Sequence, residues 1–310
     1  MAIYRYALPH LGNELFACYT GMETDLIFNK NIPLPGFAAY PLLNNKQHRV
    51  LLENYYRSLI LIAKQHNVGV ILDSVTWVAN ADRATELGYS IEELAEFNKN
   101  AIKLIHSVRE QENYWPTVLC GQVGPRGDGY IQDKPMSIFE ARDYHRVQMA
   151  AYAETEVDFV CAFTLGNAQE AAGIVLAAKA FELPVAISFT VETDGRLPTG
   201  MSLQKAVEYV DKHTQASALY YLVNCAHPDH MLQSFNYEPW VKRVRGVVAN
   251  ASRCSHEELE SALELDDGAP TELAEQLSQL RHSYPHFNVF GGCCGTDQRH
   301  MNAIMAATKV

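Results

Sequence analysis

Apolar and β-branched residues gather into eight short runs separated by longer, more polar stretches. The runs are LFACYT (15–20), VGVILDS (68–74), TVLCGQVG (117–124), VDFVCAF (157–163), PVAISFT (184–190), LYYLVNC (219–225), VRGVVANAS (244–252) and FNVFGGCC (287–294). Polar, Pro or Gly residues bound each one, so each reads as a strand. Between them the pattern changes to a helical period: Leu51, Tyr55, Leu59 and Ile62 recur at intervals of four, four and three and share one face. Further helices are predicted over 91–112, 137–154, 168–182, 202–213, 256–282 and 297–307.

Eight strands alternating with helices, with no obvious linker, predict a single (β/α)8 barrel of the TIM type spanning 1–310. An open doubly wound sheet is the main rival. Its usual signals are missing, since no G-x-G-x-x-G turn follows the first strand and no G-x-x-x-x-G-K-[ST] loop occurs. No internal repeat or low-complexity segment interrupts the pattern.

Composition narrows the partners. A formal charge of −11 argues against a nucleic-acid backbone and favours small molecules, cationic ones in particular. No stretch approaches the roughly eighteen uninterrupted apolar residues of a membrane span. The start, MAIYRYALPHLG, lacks the apolar core of a secretory signal, and the seven cysteines are odd in number and lie in apolar runs. A reduced, cytoplasmic protein is expected, in which the sequon at Asn250 to Ser252 is a chance match.

The chemistry of such a barrel sits where strands end. Cys225 ends the sixth run, and Cys293 and Cys294 end the eighth, so thiols 68 and 69 residues apart should meet at one rim. Thiolates are soft ligands that suit zinc, and three protein ligands leave one tetrahedral position open, as in catalytic sites. Gly291, Gly292 and Gly295 would give the backbone the freedom to turn two successive side chains toward one ion. A vicinal Cys293–Cys294 disulfide and a purely structural zinc are the alternatives. Cys18, Cys120, Cys161 and Cys254 read as small buried hydrophobes. His227 and His230 are either additional ligands or the start of a solvated helix.

VNCAHP (223–228), GGCCGTDQRHMNAI (291–304), GPRGDG (124–129) and SFTVETDGRLPTG (188–200) together resemble the homocysteine S-methyltransferase family, over essentially the whole chain. The resemblance implies a zinc-dependent (β/α)8 barrel in which Cys225, Cys293 and Cys294 hold the metal. It also implies transfer of a methyl group to the zinc-bound thiolate of homocysteine or a related small thiol, in methionine biosynthesis. Relatives that use folate or cobalamin carry additional domains for which this length has no room, so a small free donor of the S-methylmethionine or S-adenosylmethionine type is expected.

A free thiol is only a few per cent ionised at neutral pH, and zinc would deprotonate it. The gain in thiolate is roughly thirtyfold, and the lower basicity takes back a comparable factor in nucleophilicity. Three thiolate ligands, with their net negative charge, would keep a fourth sulfur electron-rich, and in-line positioning would supply the rest. A sulfonium donor favours an acidic, aromatic mouth. Asp73 and Trp77 after the second strand, and Glu192 and Asp194 after the fifth, are candidates, each equally able to cap a helix or pack a loop. Asn224 would orient the loop or the substrate. Glu23 and Asp25 lie beyond the first strand, where they also read as helix-start carboxylates.

At two positions the sequence departs from the family pattern. Tyr19 stands where the resemblance leads one to expect an aspartate, and Phe163 where it leads one to expect a glutamate. Both carboxylates would face the amino group of the acceptor. Their loss predicts that homocysteine is a poor acceptor unless Glu23, Glu192 or Asp194 takes over the charge, and that a thiol without an α-amino group reacts comparably well. Two other functions compete: a thiol redox protein cycling a Cys293–Cys294 disulfide, and a non-catalytic barrel that binds a metal or metabolite.

Overall fold

The computed structural model describes residues 2–131 and 135–309. Eight parallel strands close into a barrel in sequence order: β1 Phe16–Cys18, β2 Gly69–Asp73, β3 Thr117–Val123, β4 Phe159–Leu165, β5 Val185–Phe189, β6 Tyr221–Asn224, β7 Val244–Ala249 and β8 Val289–Gly292. β1 pairs with both β2 and β8, Phe16 lying opposite Gly69 on one side and Val289 on the other. The doubly wound alternative is thereby excluded, because an open sheet has two unpaired edges.

Strand residues alternate between two cores, which is why the runs are apolar throughout. Phe16, Cys18, Ile71, Val118, Cys120, Phe159, Cys161, Tyr220 and Leu222 pack inside the barrel. Their neighbours Ala17, Val70, Leu72, Leu119, Val160, Ile187 and Val223 face the helices. The N-terminal segment closes the lower end of the barrel, where the buried His10 packs against Phe16, Phe159 and Tyr220. Arg5 ties this segment to the carbonyls of Thr155 and Val157.

The helices follow the expected order. Ser90 caps Ile91–Glu112 and Ser137 caps Ile138–Ala153, each through a capping box with the Glu three residues on. In the Lys46–His66 helix the buried centre of the stripe is Leu52, Tyr56, Leu59 and Ile60, while Leu51 and Tyr55 flank it. The helix expected over 256–282 is two helices, His256–Glu260 and Pro270–Ser283. Gly268 takes a left-handed φ of +52°, and Pro270, which cannot continue a helix but readily starts one, begins the second. The intervening loop rims the mouth of the barrel. An additional helix, Ala81–Glu86 with Asn80 as its cap, sits between β2 and the Ile91–Glu112 helix.

Candidate active site

β6 ends at Asn224 and β8 at Gly292, so all three predicted metal ligands stand in the turns just above their strands. Cys225 has a left-handed φ of +56°. Its amide donates to Val248 O at 3.1 Å, the Cys293 amide donates to Ala249 O at 2.7 Å, and Cys294 O accepts from Ala251 N at 3.0 Å. Both cysteine turns are thus fastened to the end of β7. Cys225 Sγ lies 3.3 Å from Cys293 Sγ and 3.7 Å from Cys294 Sγ.

Among the described residues this is the one group of three His, Cys, Asp or Glu ligand atoms close enough to share an ion, all within 4.8 Å of one another. Two sulfurs each about 2.3 Å from one tetrahedral ion stand about 3.8 Å apart, so the cluster fits a metal with little adjustment. All seven cysteines are free thiols. Cys225 is held well below the usual thiol range, first by hydrogen bonds from Cys293 and Cys294, whose own thiols are pushed up by that bonding to Cys225.

The glycines act differently from expectation. Gly295 does take a left-handed φ, +77°, but Gly291 and Gly292 are there for space. A Cβ on Gly291 would sit 2.3 Å from Cys18 O, and one on Gly292 2.2 Å from Thr296 Oγ1. Thr296 in turn accepts from Gly21 N at 3.1 Å and donates to Cys293 O at 2.7 Å, locking the turn after β1 to the cysteine turn.

Below the thiols lies a chamber of about 50 Å³. Tyr19, Glu23, Trp77, Phe163 and Asn224, all singled out from the sequence, line it, together with Gln122, which was not. Tyr19, at φ +37°, donates its hydroxyl to Glu23 Oε2. Burial raises the Glu23 carboxyl to about 7, and that of Asp73, deeper in the barrel, likewise to about 7. Asn224 Oδ1 accepts from Thr164 N at 2.8 Å and Ser188 Oγ at 2.6 Å, and its amide donates to Thr164 Oγ1 at 2.8 Å. Its side chain is therefore committed to the protein, holding Thr164 at φ +60° beside the cysteines.

Thr24, Phe37, Trp77, Thr164, Cys225 and Cys294 line both this chamber and an outer groove of about 410 Å³. Trp77 packs edge-on against Phe37 at 5.8 Å and donates from Nε1 to Phe163 O at 3.2 Å. Tyr130, on the turn after β3, spans the mouth: its hydroxyl bonds Cys225 O at 2.7 Å and Thr190 Oγ1 at 2.8 Å, and its ring stacks on His256 at 3.6 Å. Neither Tyr130, in a polar loop, nor His256, the first residue of a short polar helix, stands out in the sequence, because no recognisable spacing marks either.

The remaining residues singled out from the sequence stand outside the chamber. Asp194 is exposed and accepts from Arg196 N at 2.9 Å within its own turn. Glu192 lies in a neighbouring cleft with Tyr130, His230 and His256, outside the chamber. Asp25 pairs with Tyr55 and Asn29, as a helix-start carboxylate would. His227 is the N-cap of Pro228–Met231, accepting from Asp229 N at 3.2 Å, so its ring is engaged in capping. Cys254 is not a buried hydrophobe: it is exposed, on the rim of the cleft that also contains Cys225.

The family model for homocysteine S-methyltransferase matches residues 21–308. The chain belongs to the homocysteine S-methyltransferase family. No curated protein matches the sequence. Among solved structures, the metallated and oxidised forms of the homocysteine methyltransferase MmuM from Escherichia coli superpose with a TM-score of 0.74 at 19% identity, covering 97% of this chain and 98% of theirs. The apo form superposes with a TM-score of 0.67 at 18% identity over the same shares. At that identity the likeness is one of fold. Tyr19 and Phe163 place a phenol and a phenyl ring in the chamber of this homocysteine S-methyltransferase family member.

Proposed function

We propose that the protein is a zinc-dependent S-methyltransferase that moves a methyl group from a small sulfonium donor, of the S-methylmethionine or S-adenosylmethionine type, to the thiolate of homocysteine or a related small thiol. Methionine biosynthesis in the cytoplasm is the setting that suits it, since unpaired thiols need a reducing compartment. The observation that carries the reading is the Cys225, Cys293 and Cys294 cluster, standing at the junction of a small inner chamber and a large outer groove.

The three cysteines would hold the ion. When bound, zinc supplies a position that favours the deprotonated form of a thiol. The remaining work falls to the chain itself. The inner chamber holds the acceptor with its sulfur toward the cysteines, and the groove admits the donor past Trp77 and Phe37, whose ring faces attract a sulfonium. Tyr130 and Asn224 fix the backbone of the Cys225 turn, so sulfur and methyl carbon meet in line. Alignment of this kind contributes several kcal/mol, out of the ~7–11 kcal/mol available in ideal cases.

Metal analysis of freshly purified protein, combined with methyl transfer to a panel of thiols, tests the proposal. About one zinc per chain with transfer to a small thiol is expected. Zinc-free protein with an oxidised Cys293–Cys294 pair would make it a redox protein instead. Bound metal with no transfer to any thiol would leave a non-catalytic barrel.

A further inference from the structure

Charge is unevenly distributed along the outer groove. Among the described residues that line it, Arg83 is the one lysine or arginine, whereas Asp128, Glu264 and Asp266 are carboxylates. Arg83 lies on the Ala81–Glu86 helix that follows β2, and Cys225 follows β6. Those strands are four apart in a closed ring of eight, so they face each other across the barrel mouth. Phe37 and Trp77 line both the chamber and the groove, but Arg83 lines the groove alone, which sets its guanidinium back from the cysteines on the outer side of the two rings.

Arg83 also has donors to spare. Its Nη1 donates to Glu86 Oε2 at 2.7 Å, while its Nε and Nη2 make no hydrogen bond among the described residues. The two side chains are 32% and 53% exposed, so this is a solvated pair that contributes little and leaves the guanidinium able to take a second anion. Gly36 makes room for it, since a Cβ there would stand 2.7 Å from Arg83 Cδ and 2.8 Å from Nη1. The natural match for a guanidinium with an open edge is a carboxylate, held by two parallel N–H···O bonds.

On the reading that the groove admits a sulfonium donor, we infer that Arg83 binds a carboxylate on the donor's longer arm and so selects donors of the amino-acid type. The methyl-bearing sulfur stands by Trp77 and Phe37, and the arm runs from there toward the β2 side of the mouth. Its carboxylate reaches Arg83 only when several bonds separate it from the onium centre. That disfavours betaine-type donors, in which a single carbon lies between the two. Net charge opposes the choice: removing the carboxylate makes a donor more cationic, and an acidic groove by itself attracts the more cationic molecule. A preference for the carboxylated donor therefore separates the Arg83 contact from the general field.

The test pairs each donor with its decarboxylated analogue: S-methyl-L-methionine with (3-aminopropyl)dimethylsulfonium, and S-adenosyl-L-methionine with its decarboxylated form. Binding to the zinc-loaded protein is measured by calorimetry, and kcat/KM is measured with one thiol. In at least one pair the carboxylated member should be preferred by more than about tenfold in both measurements, and that pair identifies the donor. A smaller preference in both pairs overturns the inference. In Arg83→Gln the ratio should fall by about tenfold, and Arg83→Lys should keep part of it. General damage to the fold would weaken both members of a pair and leave their ratio in place, so an unchanged ratio in Arg83→Gln removes Arg83 from donor recognition. Should that variant not fold, the wild-type ratio and Arg83→Lys decide. If the decarboxylated donors serve as well as the carboxylated ones, the inference fails while the proposed function stands; if no sulfonium gives up its methyl group to a thiol, both fail.

Discussion

Cys293 Sγ lies 3.3 Å from Cys225 Sγ although 68 residues separate them, and Cys294 Sγ completes the group 3.7 Å from Cys225. With only three protein ligands, each is indispensable. Cys225→Ser, Cys293→Ser and Cys294→Ser should each lose most of the bound zinc and all methyl transfer. Retained stoichiometric zinc in any of them, read by elemental analysis, removes that residue from the metal site. Cys254→Ser should keep its zinc, because this thiol is exposed and stands outside the cluster.

Tyr130 holds the carbonyl of Cys225 and the hydroxyl of Thr190 from across the barrel mouth. Tyr130→Phe gives up hydrogen bonds worth about 1 kcal/mol each while keeping the ring on His256. Chelator competition should show zinc affinity reduced by about fivefold to thirtyfold. Tyr130→Ala, which also loses a stacking contact worth ~0.5–1.5 kcal/mol, should be weaker still. Equal affinity in all three proteins would mean that Tyr130 does not support the cysteine turn.

Arg109 and Asp158 form an ion pair of 3.0 Å with both side chains fully buried. Asp158 also accepts from Tyr4 N at 2.8 Å and Leu119 N at 2.9 Å, joining the N-terminal segment to β3. Arg109→Leu strands a buried carboxylate and should cost about 3–5 kcal/mol in urea unfolding. A loss below about 1 kcal/mol would show that Asp158 finds another partner or a proton at little cost.

Burial, with a smaller push from Arg245, lowers the His10 imidazole from its usual 6.5 to about 3. Between those values the unfolded chain carries a proton on this residue that the folded chain does not. Stability from the neutral ring is therefore complete above about pH 6.5 and falls as the pH drops toward about 3. Comparison with His10→Phe cancels the other titrating groups. The wild type should lose stability relative to the variant by about 1.4 kcal/mol per pH unit through that window. A difference that stays constant with pH would mean that His10 is protonated within the folded barrel.

Much of this molecule could be read from its sequence. Strand and helix periods depend on which residues follow one another, so the eight strands, their order and most of the helices were legible without coordinates. The three cysteines were legible as well, because a strand end in a closed barrel can point to only one rim. The His256–Glu260 and Pro270–Ser283 break was missed, although Gly268 and Pro270 mark it, because the flanking residues keep a helical composition. The tertiary structure decided matters that depend on neighbours distant in the chain. It turned Cys225 into a left-handed conformation, set Gly291 against Cys18 and Gly292 against Thr296, and drew Tyr130 across the mouth to His256. It also separated carboxylates that look alike in sequence: Asp194 is left in solvent, whereas Glu23 and Asp73 are buried, with no ion-pair partner among the described residues. A charge acquires its chemical role from its desolvation and its partners, and those are set only when the barrel closes.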